Sequence, residues 1–361
     1  MRRCLLVLLT LLGCVSHLLT PVLFAYNIAV HSNIPKVVAA RTLWIETAMT
    51  TADHQWLATS LFPKTIVDEV MSKKVVQEDL ISTPELLKPI ASHTEIPTTL
   101  PFMADPEADK EPDIYDQEVD EHGNKIIVSD REQALRIVEL KTPAYTGRLI
   151  LVDDPSRVVI ATTNTKNSRG QTLQALVEGA DAIAGINANG FSDPEGRGHG
   201  GNIIGWTVSE GKSWGSGSKK HYISAGFDTS NRLIVGNIGD FGKYNIRDLS
   251  QWQPALIVDG VQKVTGSAGW GAQPRTAIAQ TESGQVILAV IDGRQPGYSI
   301  GITVGELADI LFAYGAYNAA LCDGGSSSTM VYDGKLLGKV STTRKDTGRY
   351  LPNAWVVKRI E

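Results

Sequence analysis

From residue 125 to the C terminus, the chain is a succession of short apolar runs, most of them bounded by Gly, Asn, Asp, Ser or Pro. Runs of this length that end in turn residues are typical of β-strands. Two segments, residues 171–179 and 303–314, have helical patterns instead. In the second, Thr303 followed three residues later by Glu306 predicts a capping box at the start of a helix. The pattern therefore predicts an α+β domain, a large mixed or antiparallel sheet with a few packed helices.

The first residues of the chain predict export. Met1, Arg2 and Arg3 precede residues 4–30, which contain no Asp, Glu, Lys or Arg. An apolar run of about 20 residues crosses a bilayer, and basic residues favour its cytoplasmic side. We therefore predict a single-pass signal anchor or transmembrane segment over residues 1–30, with the rest of the chain extracytoplasmic at the cell membrane. A cleaved signal peptide and lipidation at Cys14 are alternatives, and both would also export the chain.

Two segments separate this anchor from the β-rich domain at residues 125–361. Residues 31–82 have apolar positions at spacings of three, four and seven, which predicts a helical, membrane-proximal stalk. Residues 83–124 are rich in proline, and nine acidic residues accompany one lysine between Asp105 and Glu121. Proline fixes φ and like charges repel, so this segment is predicted to be an extended linker.

The composition excludes some classes of function. A net charge of −5 over 361 residues argues against general nucleic-acid binding, which needs a basic face. Cys322 is the only cysteine after Cys14, so no disulfide is expected within the folded part. Small anionic substrates are not excluded, because one arginine in a cleft can bind a phosphate.

Polar residues at a strand end give the first candidate binding site. The apolar run at residues 182–186 leads into Asn187, Asn189 and Gly190, within a stretch that has ten glycines between Gly185 and Gly217. Amide side chains both donate and accept hydrogen bonds, which suits sugar hydroxyls. An asparagine-rich tight turn is the structural alternative.

Two further strand ends carry charge. Arg275 opens an apolar run, and Asp292 and Arg294 follow another. A guanidinium binds phosphate oxygens in a two-pronged geometry, so Arg275, with Arg294, is a candidate for a substrate phosphate. A structural ion pair and a simple turn are the alternatives at these positions.

The most specific element lies between two apolar runs and reads Cys322-Asp323-Gly324-Gly325-Ser326-Ser327-Ser328-Thr329-Met330. Its glycines allow close backbone approach, and its hydroxyls and successive N–H groups could hold an anion. A flexible Gly/Ser loop is the alternative, and the apolar runs on both sides argue against it.

Taken in order, these elements and the Gly305-Glu306-Leu307 helix resemble the phosphodiester glycosidase family over roughly residues 135–361. The chain differs from the family pattern at Ala188-Asn189 and at Ser326, where glycines are usual. The resemblance implies that Asn187, Arg275, Asp292, Glu306 and Asp323 surround the active site.

The resemblance also implies a reaction, hydrolysis of a sugar-1-phosphodiester at the anomeric bond. Asp323 or Asp292 is expected to act as base or nucleophile, and Arg275 to hold phosphate, so that Asp323, Asp292, Arg275 and Glu306 form the candidate catalytic set. Substrate binding is expected from Asn187, Asn189, Gly190, Arg294, Gly324, Gly325, Ser326, Ser327 and Thr329. The expected substrate is a phosphoglycan or sugar phosphodiester of the cell envelope or an exopolysaccharide.

Three alternatives remain open. A serine hydrolase would need one of the domain's two histidines, His199 or His221, as its base, and the chain has no GxSxG motif. A metal enzyme would use Asp193, Glu195 and His199; no cofactor is predicted, and a divalent metal ion stays an option. A non-catalytic, membrane-tethered binder of anionic cell-wall glycan would use the same polar groups without turnover.

Overall fold

The computed structural model describes residues 20–51, 54–75, 77, 80–83, 113–163, 169–193, 198–215 and 222–361. These residues form two compact units. The helical unit comprises Met1–Lys74 and Gly269–Gly271, and the larger unit comprises Val75–Ala268 and Ala272–Glu361. Residues 1–19 of the predicted anchor and residues 84–112 of the predicted linker lie outside the described residues.

The helical unit contains α1 (Pro35–Met49), α2 (Trp56–Thr59) and α3 (Lys64–Ser72). Pro35 lies in the first turn of α1, where its missing N–H costs no hydrogen bond. The three helices share a small apolar core, formed by Ile45, Ala48, Ala58, Val67 and Val70. The helical character predicted for residues 31–82 is therefore present in this unit.

Residues 20–31 are also helical, and Arg41 of α1 caps their C-terminal end. Its Nη1 donates to the carbonyls of Ala29 at 3.2 Å and Val30 at 2.6 Å, which would otherwise lack intrahelical partners. Among the described residues, none of the helices combines the length and the apolar character that a bilayer crossing requires.

The larger unit is built mainly from strands, with two α-helices, α4 (Leu173–Gly179) and α5 (Val304–Ala313). The strands in chain order are β1 (Lys125–Asp130), β2 (Leu135–Lys141), β3 (Thr146–Val152), β4 (Val158–Thr162), β5 (Ala182–Asn187), β6 (Trp206–Ser209), β7 (Lys212–Gly215), β8 (Ile223–Asp228), β9 (Leu233–Gly236), β10 (Ile246–Trp252), β11 (Ala255–Val258), β12 (Val261–Gln262), β13 (Arg275–Thr281), β14 (Val286–Ile291), β15 (Ala316–Leu321), β16 (Met330–Tyr332), β17 (Lys335–Leu337) and β18 (Asn353–Lys358). Both helices were predicted, within three residues at either end.

The strands form three sheets. An eight-stranded sheet has the order β1-β2-β3-β14-β13-β15-β11-β12, and two five-stranded sheets have the orders β7-β6-β10-β8-β9 and β17-β16-β5-β18-β4. Within the described residues, all named strand pairs are antiparallel. The predicted α+β class and antiparallel pairing are confirmed, but the strands divide among three sheets. Packed sheets can bury apolar faces that one very wide twisted sheet would leave in water.

One apolar core is lined by all three sheets. Leu288 of β14, Phe227 of β8 and Trp355 of β18 are fully buried members of it, one from each sheet. The Trp355 ring meets Phe227 edge to face at 5.7 Å, and its Nε1 donates to Oγ of Ser250 at 2.9 Å. This tryptophan therefore joins the sheet that contains β5 and β18 to the sheet that contains β8 and β10.

The segments that flank the predicted linker lie on the larger unit. Residues 80–83 pair with β9, where Ser82 N–H donates to the carbonyl of Val235 at 2.8 Å. After the gap, Tyr115 donates its hydroxyl to Asp153 at 2.6 Å. Residues 75–83 thus belong to the larger unit, although the sequence predicted a stalk up to residue 82.

We expect Trp355→Ala to destabilise the larger unit by about 3–5 kcal/mol, because it removes a buried ring and leaves a cavity between sheets. The measurement is urea-induced unfolding of the full chain. Trp206→Ala is the matched control, because Trp206 lies in the same unit and is 36% exposed. Equal losses in the two variants would contradict the packing role of Trp355.

Candidate active site

Three strand ends meet at one edge of the eight-stranded sheet. Strand β13 lies between β14 and β15 and is antiparallel to both, with Arg275 opposite Ile291 and Ala277 opposite Leu321. The C-terminal ends of β14 and β15 therefore flank the N-terminal end of β13. Asp292 directly follows β14, and Asp323 follows β15 after the intervening Cys322. Arg275, Asp292 and Asp323 are thus brought to the same edge, as the sequence predicted.

Asn187 ties a second sheet to this edge. It is the last residue of β5 and is fully buried. Its Nδ2 donates to the carbonyl of Asp323 at 2.6 Å, and its Oδ1 accepts from Thr276 Oγ1 at 2.9 Å and from Thr329 N at 3.1 Å. These contacts fix the backbone around Asp323, so Asn187 holds the loop that carries Asp323 in place.

The loop after Asp323 follows a tight path that only glycine fits. Gly325 has φ +63°, and its N–H donates to the carbonyl of Pro274 at 2.9 Å. A Cβ at this position would lie 2.9 Å from Nη2 of Arg294. Gly324 and Gly325 therefore let the loop lie directly against the start of β13 and the Arg294 guanidinium. Their predicted contact with substrate remains a prediction.

Asp323 is an unusual carboxyl group. Burial raises its pKa above the ordinary range, while a hydrogen bond from Ser327, the charge of Arg349, the N–H of Gly324 and the charge of Arg294 act in the opposite direction. Burial wins, so the group holds its proton more tightly than an exposed aspartate. A carboxyl group whose pKa is raised by burial is a candidate for proton transfer.

Two arginines, Arg275 (buried) and Arg294 (half-buried), lie near each other at this edge. Burial, and then the charge of Arg294, lower the pKa of Arg275 to about 9, so the guanidinium is still cationic at neutral pH. Nε of Arg275 donates to the carbonyl of Ile302 at 3.2 Å. Arg294 has a left-handed φ of +57° and donates to Ser326 Oγ at 3.1 Å and to Gln273 Oε1 at 2.9 Å. Two neighbouring guanidinium groups have the geometry that binds anions such as phosphate, so the predicted phosphate role of Arg275 and Arg294 stays a prediction.

A third arginine, which the sequence analysis did not identify, also acts on Asp323. Nη1 of Arg349 donates to Ser327 Oγ at 3.2 Å, and Nη2 pairs with Asp193. Arg349 lies between β17 and β18 in a loop without a motif, so nothing local marked it. The only sequence signal was the presence of several cations, Arg344, Lys345 and Arg349, shortly after the serine-rich element.

Asp292 is held in a buried network. Its Oδ2 accepts from Nη1 of Arg148 at 3.0 Å, from the Tyr298 hydroxyl at 2.6 Å and from the N–H of Lys339 at 3.0 Å. Burial raises the pKa of Tyr298, which stays a neutral donor. These three contacts fix the position of the Asp292 carboxyl group, and its expected role as base or nucleophile stays a prediction.

Glu306 lies on the surface and completes a helix cap. Its Oε2 accepts from Thr303 N at 2.7 Å and from Thr303 Oγ1 at 2.8 Å, while Thr303 Oγ1 accepts from Glu306 N. The predicted capping box is confirmed. The same contacts give the carboxylate a structural purpose, so we do not retain Glu306 in the catalytic set.

Asn189 and Gly190 have structural roles. The Nδ2 of Asn189 shares its hydrogens among three backbone carbonyls, those of Ile204, Trp206 and Gln251. Its Oδ1 accepts from Thr207 and Asn353, so the side chain has no capacity left for a substrate. Gly190 is required because a Cβ would lie 2.3 Å from the ring of Trp252. The hydrogen bonds of Asn189 argue against the substrate-binding prediction for it, and the prediction for Gly190 stays a prediction.

The hydroxyls of the serine-rich element divide into two groups. Ser326 and Ser327 accept hydrogen bonds from Arg294 and Arg349. Ser328 Oγ and Thr329 Oγ1 are buried and make no hydrogen bond within the described part of the chain. A buried hydroxyl without a partner is costly, which makes these two atoms candidates for contact with a bound molecule. Thr329 was predicted in this role, and Ser328 was not.

The alternatives that depend on His199 receive no support from its contacts. His199 is exposed, and its backbone carbonyl accepts from Gly170 N at 2.8 Å. In the described ranges, His, Cys, Asp and Glu nowhere form a group of three that could hold a metal ion. Glu195 of the metal alternative and His221 of the serine hydrolase alternative lie outside those ranges.

We expect Asp323→Asn to stabilise the chain at neutral pH. The folded-state pKa of Asp323 is raised, so wild type loses stability as the pH rises from the unfolded value of about 3.9 through the folded value. The gain in melting temperature of the variant should be smallest near pH 4 and should grow as the pH rises to neutral.

The measurement is thermal unfolding of wild type and variant between pH 4 and pH 8. Asp68→Asn is the control, because it removes an exposed carboxylate from the helical unit. A gain that is independent of pH, or a variant that is less stable than wild type at neutral pH, would refute the electrostatic description of Asp323.

Comparisons with known proteins relate this chain to a family. Residues 180–358 match the family model described as phosphodiester glycosidase. The SPbeta prophage-derived uncharacterized protein YomE of Bacillus subtilis (strain 168) is 24% identical over 229 residues, which cover 58% of this chain and 32% of that protein. The chain thus spans about a third of the length of the curated relative that it matches.

A solved structure shares the fold. The zebrafish N-acetylglucosamine-1-phosphodiester alpha-N-acetylglucosaminidase catalytic domain, auto-inhibited by its pro-peptide, superimposes with a TM-score of 0.54 at 17% identity, covering 68% of this chain and 87% of that one. The matched region contains Arg275, Asp323 and Arg349 of the site described above. The chain therefore carries a domain of the phosphodiester glycosidase family, as the resemblance in its sequence predicted.

Proposed function

We propose that the larger unit hydrolyses sugar-1-phosphodiesters at the glycosidic bond, with Asp323 as the reacting carboxyl group. The observation that carries the proposal is the position of this half-buried carboxyl group near Arg294 and Arg349, at the edge where the ends of β13, β14 and β15 meet. The positive charges of the arginines favour an anionic substrate, and the carboxyl group supplies the chemistry.

The phosphodiester is assigned to Arg275 and Arg294. Arg275 is the first residue of β13, and Arg294 follows the end of β14. The charge of Arg294 acts on Arg275. A phosphodiester carries one negative charge on two free oxygens, which matches the two-pronged geometry of guanidinium. Arg294 also contacts Ser326, so this hydroxyl extends the anion site.

The reaction breaks the bond between the anomeric carbon and the phosphate oxygen. Phosphate leaves with the bonding electrons and needs little help from an acid. Water supplies the hydroxyl of the free sugar, and its remaining proton is released or passes to the phosphomonoester. Asp323 acts either as the base that activates water or as the nucleophile that first joins the sugar. Asp292 and Glu306 are structural in this scheme.

The sugar is assigned to the hydroxyl-rich side of the loop. Ser328 Oγ and Thr329 Oγ1 are buried without partners in the described part of the chain, and both can donate to and accept from sugar hydroxyls. Asn187 contributes indirectly, since it donates to the carbonyl of Asp323 and accepts from the N–H of Thr329. No cofactor is part of the proposal, and a divalent metal requirement is tested below.

The cellular setting is proposed from the sequence. Arg2 and Arg3 precede an uncharged run over residues 4–30, which supports a membrane anchor with the domain outside the cytoplasm. A site of this kind in that location would act on phosphoglycans of the cell envelope or on exopolysaccharide. The membrane and the phosphodiester substrate are the two partners that we propose.

We expect the chain to release free sugar and phosphomonoester from at least one member of a panel of sugar-1-phosphodiesters. Asp323→Asn should reduce kcat by at least about 10²-fold, the scale of a lost acid–base group. Glu306→Gln should retain activity, because glutamine also completes a capping box. The measurement is product formation with and without chelator, which also reports on a metal requirement.

Two outcomes would count against the proposal. Wild-type activity in Asp323→Asn would remove Asp323 from the reaction. Tight, saturable binding of a panel member without any product would favour the alternative of a membrane-tethered binder of anionic glycan.

A further inference from the structure

The side chain of Arg349 is fixed at three points. It donates to Ser327 Oγ at 3.2 Å, pairs with Asp193, and lies over the ring of Phe191 with 4.7 Å to its centroid. An exposed arginine normally loses much rotamer entropy for one such contact. These contacts come from two separate parts of the chain, residues 191–193 and Ser327, and together they hold the guanidinium in one position.

The backbone at Gly198 also limits the space around the Arg349 side chain. Oδ2 of Asp193 accepts from the N–H of Gly198 at 2.9 Å as well as from Arg349. Gly198 has φ +68°, and a Cβ there would lie 2.7 Å from Nε of Arg349. The guanidinium therefore has little room to swing away from Ser327.

The contact with Ser327 decides where the serine hydroxyl points. A serine hydroxyl has one hydrogen and two lone pairs. Because Arg349 donates to Oγ, it occupies a lone pair and leaves the hydrogen for another acceptor. That acceptor is the carboxyl group of Asp323, to which Ser327 is hydrogen bonded. Ser327 is almost fully buried, so water does not compete.

The other groups around Asp323 do not duplicate this contact. Arg294 adds a positive charge, and the proposed function assigns it to the substrate phosphate. The N–H of Gly324 contacts the carboxyl group from its own loop. Cys322, the neighbouring titratable group, is a buried thiol whose pKa is raised by burial, so it stays neutral.

We propose that Arg349 is a positioning residue that fixes the Ser327 hydroxyl as a donor to Asp323, and that Asp193 fixes Arg349 in turn. This inference rests on the proposed function, in which Asp323 reacts with the substrate. It assigns a chain of three residues, Asp193, Arg349 and Ser327, to the orientation and charge of one carboxyl group.

The test compares Arg349→Met, Arg349→Lys, Asp193→Asn, Ser327→Ala and the double variant Arg349→Met/Ser327→Ala in the full chain. The readouts are kcat, KM and the pH profile on a substrate that wild type cleaves. Arg247→Met is the structural control, because Arg247 forms a comparably buried pair with Asp248 on β10.

In Arg349→Met we expect kcat to fall on the order of 10²-fold with KM little changed, as for a misplaced reacting group. The limb of the profile that reports Asp323 should move to higher pH, because a nearby positive charge is lost. Lysine should restore the limb but not kcat, since one ammonium cannot contact Asp193 and Ser327 together. The double variant should be no worse than Arg349→Met, and Asp193→Asn should reduce kcat in the same direction.

A rise in KM at unchanged kcat would overturn the inference and make Arg349 a substrate ligand. The inference would also be overturned if the limb of the pH profile that reports Asp323 did not move in Arg349→Met, or if it moved equally in Arg247→Met. Additive losses of kcat in the double variant would overturn it as well. If wild type cleaves no substrate, the proposed function fails, and thermal unfolding then tests the inference. The stabilisation that Asp323→Asn gives at neutral pH should be larger in the Arg349→Met background than in wild type. An equal gain in the two backgrounds would overturn the inference.

Discussion

The hydrogen bond from Asn187 to the carbonyl of Asp323 is the contact on which the candidate site depends. Asn187 ends a strand of one sheet, and Asp323 follows a strand of another, so this bond joins two sheets at the point where the chemistry is proposed. The N–H of Asp323 donates in return to the carbonyl of Ala188 at 2.8 Å. With both backbone groups of Asp323 held, its side chain is aimed by the core rather than by a mobile loop. The two sheets also pack together through the shared apolar core that contains Trp355.

The second constraint is electrostatic. Burial raises the pKa of Asp323 and lowers the pKa of Arg275, so burial disfavours the charged form of each group. The charges of Arg349 and Arg294 act in the opposite direction on Asp323 and favour its ionised form. In the proposed reaction, the anionic phosphodiester would lie beside Arg275 and Arg294.

Sequence reasoning found the elements that are encoded locally. The capping box at Thr303, the strands and the serine-rich element could be predicted because their signals lie within a few residues. Contacts between residues that are distant in the chain could not be predicted. Asn189 donates to the carbonyl of Gln251, and Asp292 accepts from Arg148, and neither partner is marked by a local pattern. Arg349 was missed for the same reason, since its importance comes only from the contact with Ser327.

The central claim is that Asp323 promotes cleavage at the anomeric carbon and not at phosphorus. Hydrolysis in water enriched in ¹⁸O, followed by mass spectrometry of both products, tests this directly, because the new oxygen stays with the atom that water or Asp323 attacked. We predict that the label appears in the free sugar and that the phosphomonoester remains unlabelled. Label in the phosphomonoester would show cleavage of the phosphorus–oxygen bond and would contradict the account.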